Sequence, residues 1–168
     1  MRGPGTEALT LLAPTPEATA AIAAALAGAV GLGDVLALDG PLGAGKTFFT
    51  AALCAALGVD RAAVDSPSFV LLNEYEGERD GAPLPIHHFD AYRLRGEADE
   101  LAEAGFLDER QRESVSIVEW AERIAAFLPR GALRIRFEIL SETGRRLTLA
   151  GWPAERLSAL APWREPRP

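Results

Sequence analysis

Apolar residues alternate with polar ones along the chain in two distinct periods, and the places where the period switches outline the fold. Leu9–Ala13 is a short apolar run that predicts a strand. Thr15-Pro16-Glu17 then has the form of an N-cap, a proline at the first helical position and an acid in the first turn. It opens a helix from Pro16 to about Ala29 that closes near Gly31 and Gly33. Val35–Asp39 is apolar without alternation, which suits a strand buried on both faces in a partly parallel sheet. A glycine-rich loop, Gly40–Thr47, separates it from a second helical pattern over Phe48–Leu57 that Gly58 closes. Phe69–Tyr75 and Pro85–Asp90 read as antiparallel strands about a turn at Glu78–Gly81. An acidic helix covers Gly96–Glu103, with Leu94, Ala98 and Leu101 spaced to face the core. Val115–Val118 is another buried strand, ending at Glu119, and Trp120–Phe127 is a short helix stopped by Pro129. Leu133–Leu140 and Arg146–Ala150 flank Ser141–Gly144 as a terminal hairpin. Strands alternating with helices, then hairpins, predict an α/β domain with a mixed β-sheet flanked by helices, in the manner of a P-loop NTPase.

Composition narrows what such a domain does. The 168 residues suit one domain with a real core. A single cysteine, Cys54, excludes an intrachain disulfide, and with only His87 and His88 beside it the chain lacks ligands for a structural zinc site. The longest apolar stretches are alanine-rich and too weakly hydrophobic to span a membrane, and no signal peptide is visible, so the expected location is the cytoplasm. The formal charge of −7, with no cluster of basic residues, argues against direct binding of nucleic acid. Of the 17 basic residues, Lys46 is the only lysine.

That lysine lies in the one motif that carries chemistry. Gly40-Pro41-Leu42-Gly43-Ala44-Gly45-Lys46-Thr47 fits G-x-x-x-x-G-K-[ST], preceded by a predicted strand and followed by a predicted helix. Glycines let such a loop fold back so that successive N–H groups point at phosphate oxygens, and the helix N-terminus adds its dipole. The lysine serves as a flexible point charge for the β- and γ-phosphates, and the Thr47 hydroxyl suits Mg²⁺. A magnesium nucleotide also needs a carboxylate at the end of a neighbouring strand. Asp39, Asp90 and Glu119 are the candidates. Asp39 precedes the loop on its own strand and reads as a structural or turn residue. Glu119 ends a buried strand as a Walker B carboxylate does, and Asp90 could orient the attacking water or the metal's hydration shell; either acid could instead cap the following helix. Ser66-Pro67-Ser68 occupies the position of a γ-phosphate-sensing switch. His87 and His88, adjacent in a strand, point to opposite faces and suit packed or surface roles.

The segments Gly40–Thr47, Ser66-Pro-Ser-Phe69, Asn73-Glu-Tyr75, His88-Phe-Asp-Ala-Tyr-Arg-Leu94 and Val118-Glu-Trp120, taken in this order, resemble the TsaE (YjeE) family. These are bacterial P-loop ATPases required to make threonylcarbamoyladenosine in tRNA. The resemblance implies bound ATP or ADP, with Leu42, Gly43, Ala44, Gly45, Lys46, Thr47 and Phe48 around the phosphates and the adenine end near Pro16 and Thr19. It implies Mg²⁺ held by Thr47 and Glu119, Lys46 and Asp90 as the catalytic residues, and switch loops at Ser66–Phe69 and Asp90–Arg93. It also implies the TsaB–TsaD complex as the protein partner, with ATP turnover that is slow alone and depends on that complex, and no direct action on tRNA. Three positions depart from the family pattern. Pro41 stands for a usual aspartate and lacks an N–H, Ser68 for a usual threonine whose hydroxyl it keeps, and Phe48 for a second threonine or similar residue. The hairpin and the tail from Trp152 match least.

Two other readings fit a P-loop of this size. A small-molecule kinase shares the loop, but usually carries it near the N-terminus with an arginine-bearing lid; here a strand and helix precede it and a hairpin follows. A nucleotide-binding adaptor would bind ATP without hydrolysing it.

Overall fold

The computed structural model describes residues 7–64, 71–106 and 112–167. Its centre is a seven-stranded sheet built from β1 (Leu9–Ala13), β2 (Val35–Asp39), β3 (Leu72–Arg79), β4 (Ala82–Asp90), β5 (Val115–Glu119), β6 (Leu133–Ile139) and β7 (Arg145–Ala150). The spatial order is β1-β7-β6-β2-β5-β4-β3. β6, β2, β5 and β4 pair in parallel, and β7 returns antiparallel between β1 and β6. Consequently β1, β6, β2, β5 and β4 all run in the same sense, and the carboxyl ends of β2, β5 and β4, carrying Asp39, Glu119 and Asp90, lie along one edge.

The unbroken apolar runs recognised in β2 and β5 follow from helices covering both faces. Leu36 and Leu38 of β2 and Ile117 of β5 join one core with Ile22 and Leu26 of α1 (Pro16–Ala27) and Phe49 and Leu53 of α2 (Lys46–Ala56). Val35 and Ala37, one residue out of phase, join Val118 and Phe89 in a second core. It is closed by Leu101 of α3 (Ala98–Glu103) and by Ile124 of a 3-10 segment, Ala121–Phe127. Among the described residues no helix is long and apolar enough to cross a membrane.

Element boundaries moved where turn chemistry outweighed periodicity. α1 stops at Ala27, two residues before the expected end, with Gly28 as its C-cap. Its start is as expected: the Thr15 side chain accepts from the Ala18 N–H at 3.2 Å, and Pro16 occupies the first position. Replacing Thr15 with alanine should lower stability by about 1 kcal/mol, measured by denaturant unfolding. α2 begins at Lys46 rather than Phe48, because the glycine loop turns directly into the helix.

β3 extends through Arg79, and Arg79 pairs with Ala82 across a turn of only Asp80 and Gly81. Both turn residues have positive φ (52° and 78°), the conformation of a tight Asp-Gly hairpin turn. The polar run Glu76–Arg79 resembles a loop because β3 is an edge strand, where charged residues face water. The first part of the expected Phe69–Tyr75 strand falls on residues 65–70, outside the described residues, as does the Ser66–Phe69 switch segment. Leu94 and Leu101 are buried as expected, but Ala98, the first residue of α3, is exposed. The segment after Trp120 is 3-10 rather than α-helical, with a break in helical geometry at Ile124. The tail, which carries no clear periodicity, forms another 3-10 segment, Ala154–Trp163, packed by Leu157 and Leu160 onto the α1 side.

Candidate functional site

The loop from β2 into α2 depends on glycine at defined points. Gly43 and Gly45 have φ of 77° and 99°, with open space where a Cβ would stand, so it is the backbone conformation that demands glycine there. At Gly40 the demand is spatial as well, since a Cβ would lie 2.9 Å from the Phe137 carbonyl oxygen. The first turn of α2 then faces the site with the N–H groups that a helix start leaves unpaired within the helix.

Lys46 folds back over this loop. Its Nζ donates to the carbonyl oxygens of Gly40 and of Pro41 (3.1 Å) and lies 3.9 Å from the ring centroid of Trp120. Burial pulls the Lys46 ammonium below its ordinary pKa, against the opposing pull of Glu119, Glu122, Asp39 and Asp90. Among the described residues, none of the ion pairs includes Lys46. A buried cation held by carbonyls and an aromatic face is suited to an incoming anion.

Beside it, the Thr47 hydroxyl donates to the Glu119 carboxylate at 3.0 and 3.1 Å. Sheet register sets Asp90 directly opposite Glu119. Burial raises the Asp90 carboxyl above its usual range; the Tyr92 N–H, donating to Oδ1 at 2.8 Å, opposes this, while Glu119 adds to it. Leu42, Gly43, Lys46, Thr47, Asp90, Tyr92, Arg93, Glu119 and Trp120 line one cavity of about 360 Å³. A second cavity of about 610 Å³ borders the loop on its β6 side, between Asp39, Gly40, Pro41, Trp120 and Arg136.

The remaining expected site residues lie around this centre. Ala44 is buried under the loop, and the half-exposed Phe48 ring faces Arg61, 5.0 Å from its centroid. Pro16 is exposed at the start of α1, and Thr19 is buried one turn further on. Neither lines the 360 Å³ cavity, although both stand at the same sheet edge. Asp39 has a structural role, and a long-range one rather than a turn contact: Oδ1 accepts from the Glu122 N–H, 83 residues downstream, at 2.8 Å.

Three contributors were not legible beforehand. Arg145 of β7 donates to the loop carbonyls of Ala44 (3.0 Å) and Gly43 (3.2 Å), and to three carbonyls of the hairpin turn, fastening the two loops together. Trp120 adopts a left-handed conformation (φ 56°), uncommon for an aromatic residue, and its ring covers Lys46. His88 is fully buried against Glu119, 2.8 Å from Oε1, so its role goes beyond packing. Its position two residues before Asp90 on one strand was the available signal, since both must face the same side.

The Asp39–Glu122 pair carries a pH dependence. Although Glu122 is exposed as a residue, local desolvation of its carboxyl raises it to about 7, assisted by its hydrogen bond with Asp39. A carboxyl that keeps its proton in the folded state above its ordinary range contributes stability fully present at lower pH and lost as pH rises through about 7. Melting temperature should therefore fall between about pH 5 and pH 8, and fall less in Glu122→Gln. Equal slopes in the two proteins would refute the assignment.

The donor set suits a magnesium nucleotide. Thr47 and Glu119 offer a hydroxyl and a carboxylate side by side, and among the described residues no group of three or more His, Cys, Asp or Glu forms a metal cage. Mg²⁺ is commonly held in this way, by one or two protein oxygens together with phosphate.

Residues 13–147 match the family model described as "Threonylcarbamoyl adenosine biosynthesis protein TsaE". The match continues through β6 into β7, well beyond the last motif at Trp120. The tRNA threonylcarbamoyladenosine biosynthesis protein TsaE of Bacillus subtilis is 41% identical over 134 residues, 79% of each chain. That of Streptomyces coelicolor is 40% identical over 137 residues, covering 77% of this chain and 90% of the other. A crystal structure of Bacillus subtilis YdiB superposes with a TM-score of 0.66 at 34% identity, covering 93% of both chains.

Proposed function

Because this chain belongs to the TsaE family of tRNA threonylcarbamoyladenosine biosynthesis proteins, we propose that it is the ATP-binding and ATP-hydrolysing component of that modification, acting on a TsaB–TsaD complex and leaving the tRNA to those partners. The observation that carries this reading is the convergence of Lys46, Thr47, Glu119 and Asp90 on one cavity at the carboxyl edge of the sheet. That edge is where open α/β sheets bind ligands.

In this reading the glycine loop and the start of α2 bind the phosphates through backbone N–H groups, and Lys46 exchanges its carbonyl partners for phosphate oxygens. Thr47 and Glu119 hold Mg²⁺, which supplies neutralisation of charge on the β- and γ-phosphates when bound. Asp90 orients the water that attacks the γ-phosphate. Leu42 and Tyr92, both exposed at the cavity mouth, limit access of bulk water once a nucleotide is seated. Pro16 and Thr19 border the nucleoside end. The net charge of −7 favours work on protein partners over direct contact with an RNA backbone.

Phosphate release measured with and without a TsaB–TsaD complex tests the proposal. Slow release that rises with the complex is expected. Release that requires a small-molecule acceptor would indicate a kinase, and ATP binding with no release under either condition would indicate an adaptor.

A further inference from the structure

Glu119 is held from behind as well as from the cavity side. His88, with none of its surface exposed, directs Nε2 at Glu119 Oε1 (2.8 Å), the same oxygen that accepts from Thr47 at 3.0 Å. The other imidazole nitrogen, Nδ1, lies 3.3 Å from the Tyr75 hydroxyl, with the two rings tilted at 43°. A carboxylate that is to hold a cation can only accept from its neighbours, so in the magnesium reading His88 Nε2–H is the donor of this pair. In the neutral ring, Nδ1 is then an acceptor and the Tyr75 O–H its donor. A single tautomer therefore satisfies an unbroken line from the edge strand β3 through β4 to the end of β5.

We propose that His88, itself oriented by Tyr75, is the positioning residue that fixes the Glu119 carboxylate for Mg²⁺. This rests on the magnesium-nucleotide reading of the site and deepens it. A carboxylate at the end of a strand has rotational freedom about its terminal torsions, and a fixed donor on one oxygen removes it before the cation arrives. Outer partners of metal-ligating groups commonly affect metal affinity by about 10- to 100-fold. Thr47 cannot do this alone, because its hydroxyl is itself taken up by the metal in that reading. The line also gives a role to Tyr75, whose segment is distinctive in the sequence but does not line the cavity.

Two measurements on the full chain test this. In the nucleotide-free protein, ¹⁵N NMR of the imidazole should show Nε2 protonated; a bare Nε2 with the proton on Nδ1 would overturn the assignment. In calorimetric titrations of ATP at stepped Mg²⁺ concentrations, His88→Leu should raise the Mg²⁺ needed for half-maximal tight binding by about 10-fold or more. Affinity for ATP without Mg²⁺ should be unchanged. His88→Gln, whose amide N–H can reach towards Glu119, should recover most of the loss, and Tyr75→Phe should show a smaller shift in the same direction. A folded His88→Leu protein with the wild-type Mg²⁺ requirement, or a His88→Gln no better than His88→Leu, would sink the positioning role while leaving the ATPase reading intact. A wild-type protein whose ATP affinity ignores Mg²⁺ would remove both.

Discussion

Lys46→Ala should weaken ATP binding by about 10- to 150-fold, the effect of removing one hydrogen-bonded charge from a phosphate site. The fold should survive, because the contacts of Lys46 Nζ among the described residues are loop carbonyls and the face of Trp120. Lys46→Arg is the sharper variant. It keeps the charge but places a broad planar group where a compact ammonium fits between two carbonyl oxygens and an indole ring. In a chain with 16 arginines to one lysine, arginine should fail here. Calorimetric titration of ATP into each variant decides it, and wild-type affinity in Lys46→Ala would defeat the phosphate-cradle argument.

Asp90→Asn should leave ATP affinity within about threefold of wild type and lower partner-stimulated turnover by about 100-fold or more. The amide retains an oxygen to accept from the Tyr92 N–H, so the turn after β4 should persist. What it loses is the carboxylate charge, in a position where burial already works against ionisation. A drop in affinity equal to the drop in turnover would instead assign Asp90 to nucleotide binding. Unchanged turnover would remove it from the chemistry altogether.

The parts of this site legible in the sequence are those whose physics is local. A glycine loop between an apolar strand and a helix is written in adjacent residues, and so is the Thr15-Pro16 helix start. Glu119 and Asp90 were recognisable as acids at the ends of buried strands. That they stand opposite one another depends on β4 and β5 pairing in register, which neither segment encodes alone. His88, Trp120 and Arg145 were missed for the same reason. Each acts on a residue far along the chain, and a histidine in a strand, an aromatic after one, or an arginine at a hairpin has many commoner uses. The edge strand β3 concealed its length because its polarity is that of a solvent-facing strand, and its end at the Asp80-Gly81 turn follows from the pairing with β4.

The strand order has a consequence for the birth of the protein. β2 leads into the phosphate loop, yet both of its neighbours, β5 and β6, lie near the far end of the chain. The partner of Thr47 is 72 residues downstream, and Arg145 reaches back 101 residues to Ala44. A nascent chain that has just emitted its glycine loop therefore owns the motif without the cradle. Long-range parallel pairing of this kind pays its loop-closure entropy before it gains contacts. Nucleotide capture should be a late event of synthesis, absent from a chain released before residue 119 and acquired only as the last strands close the sheet.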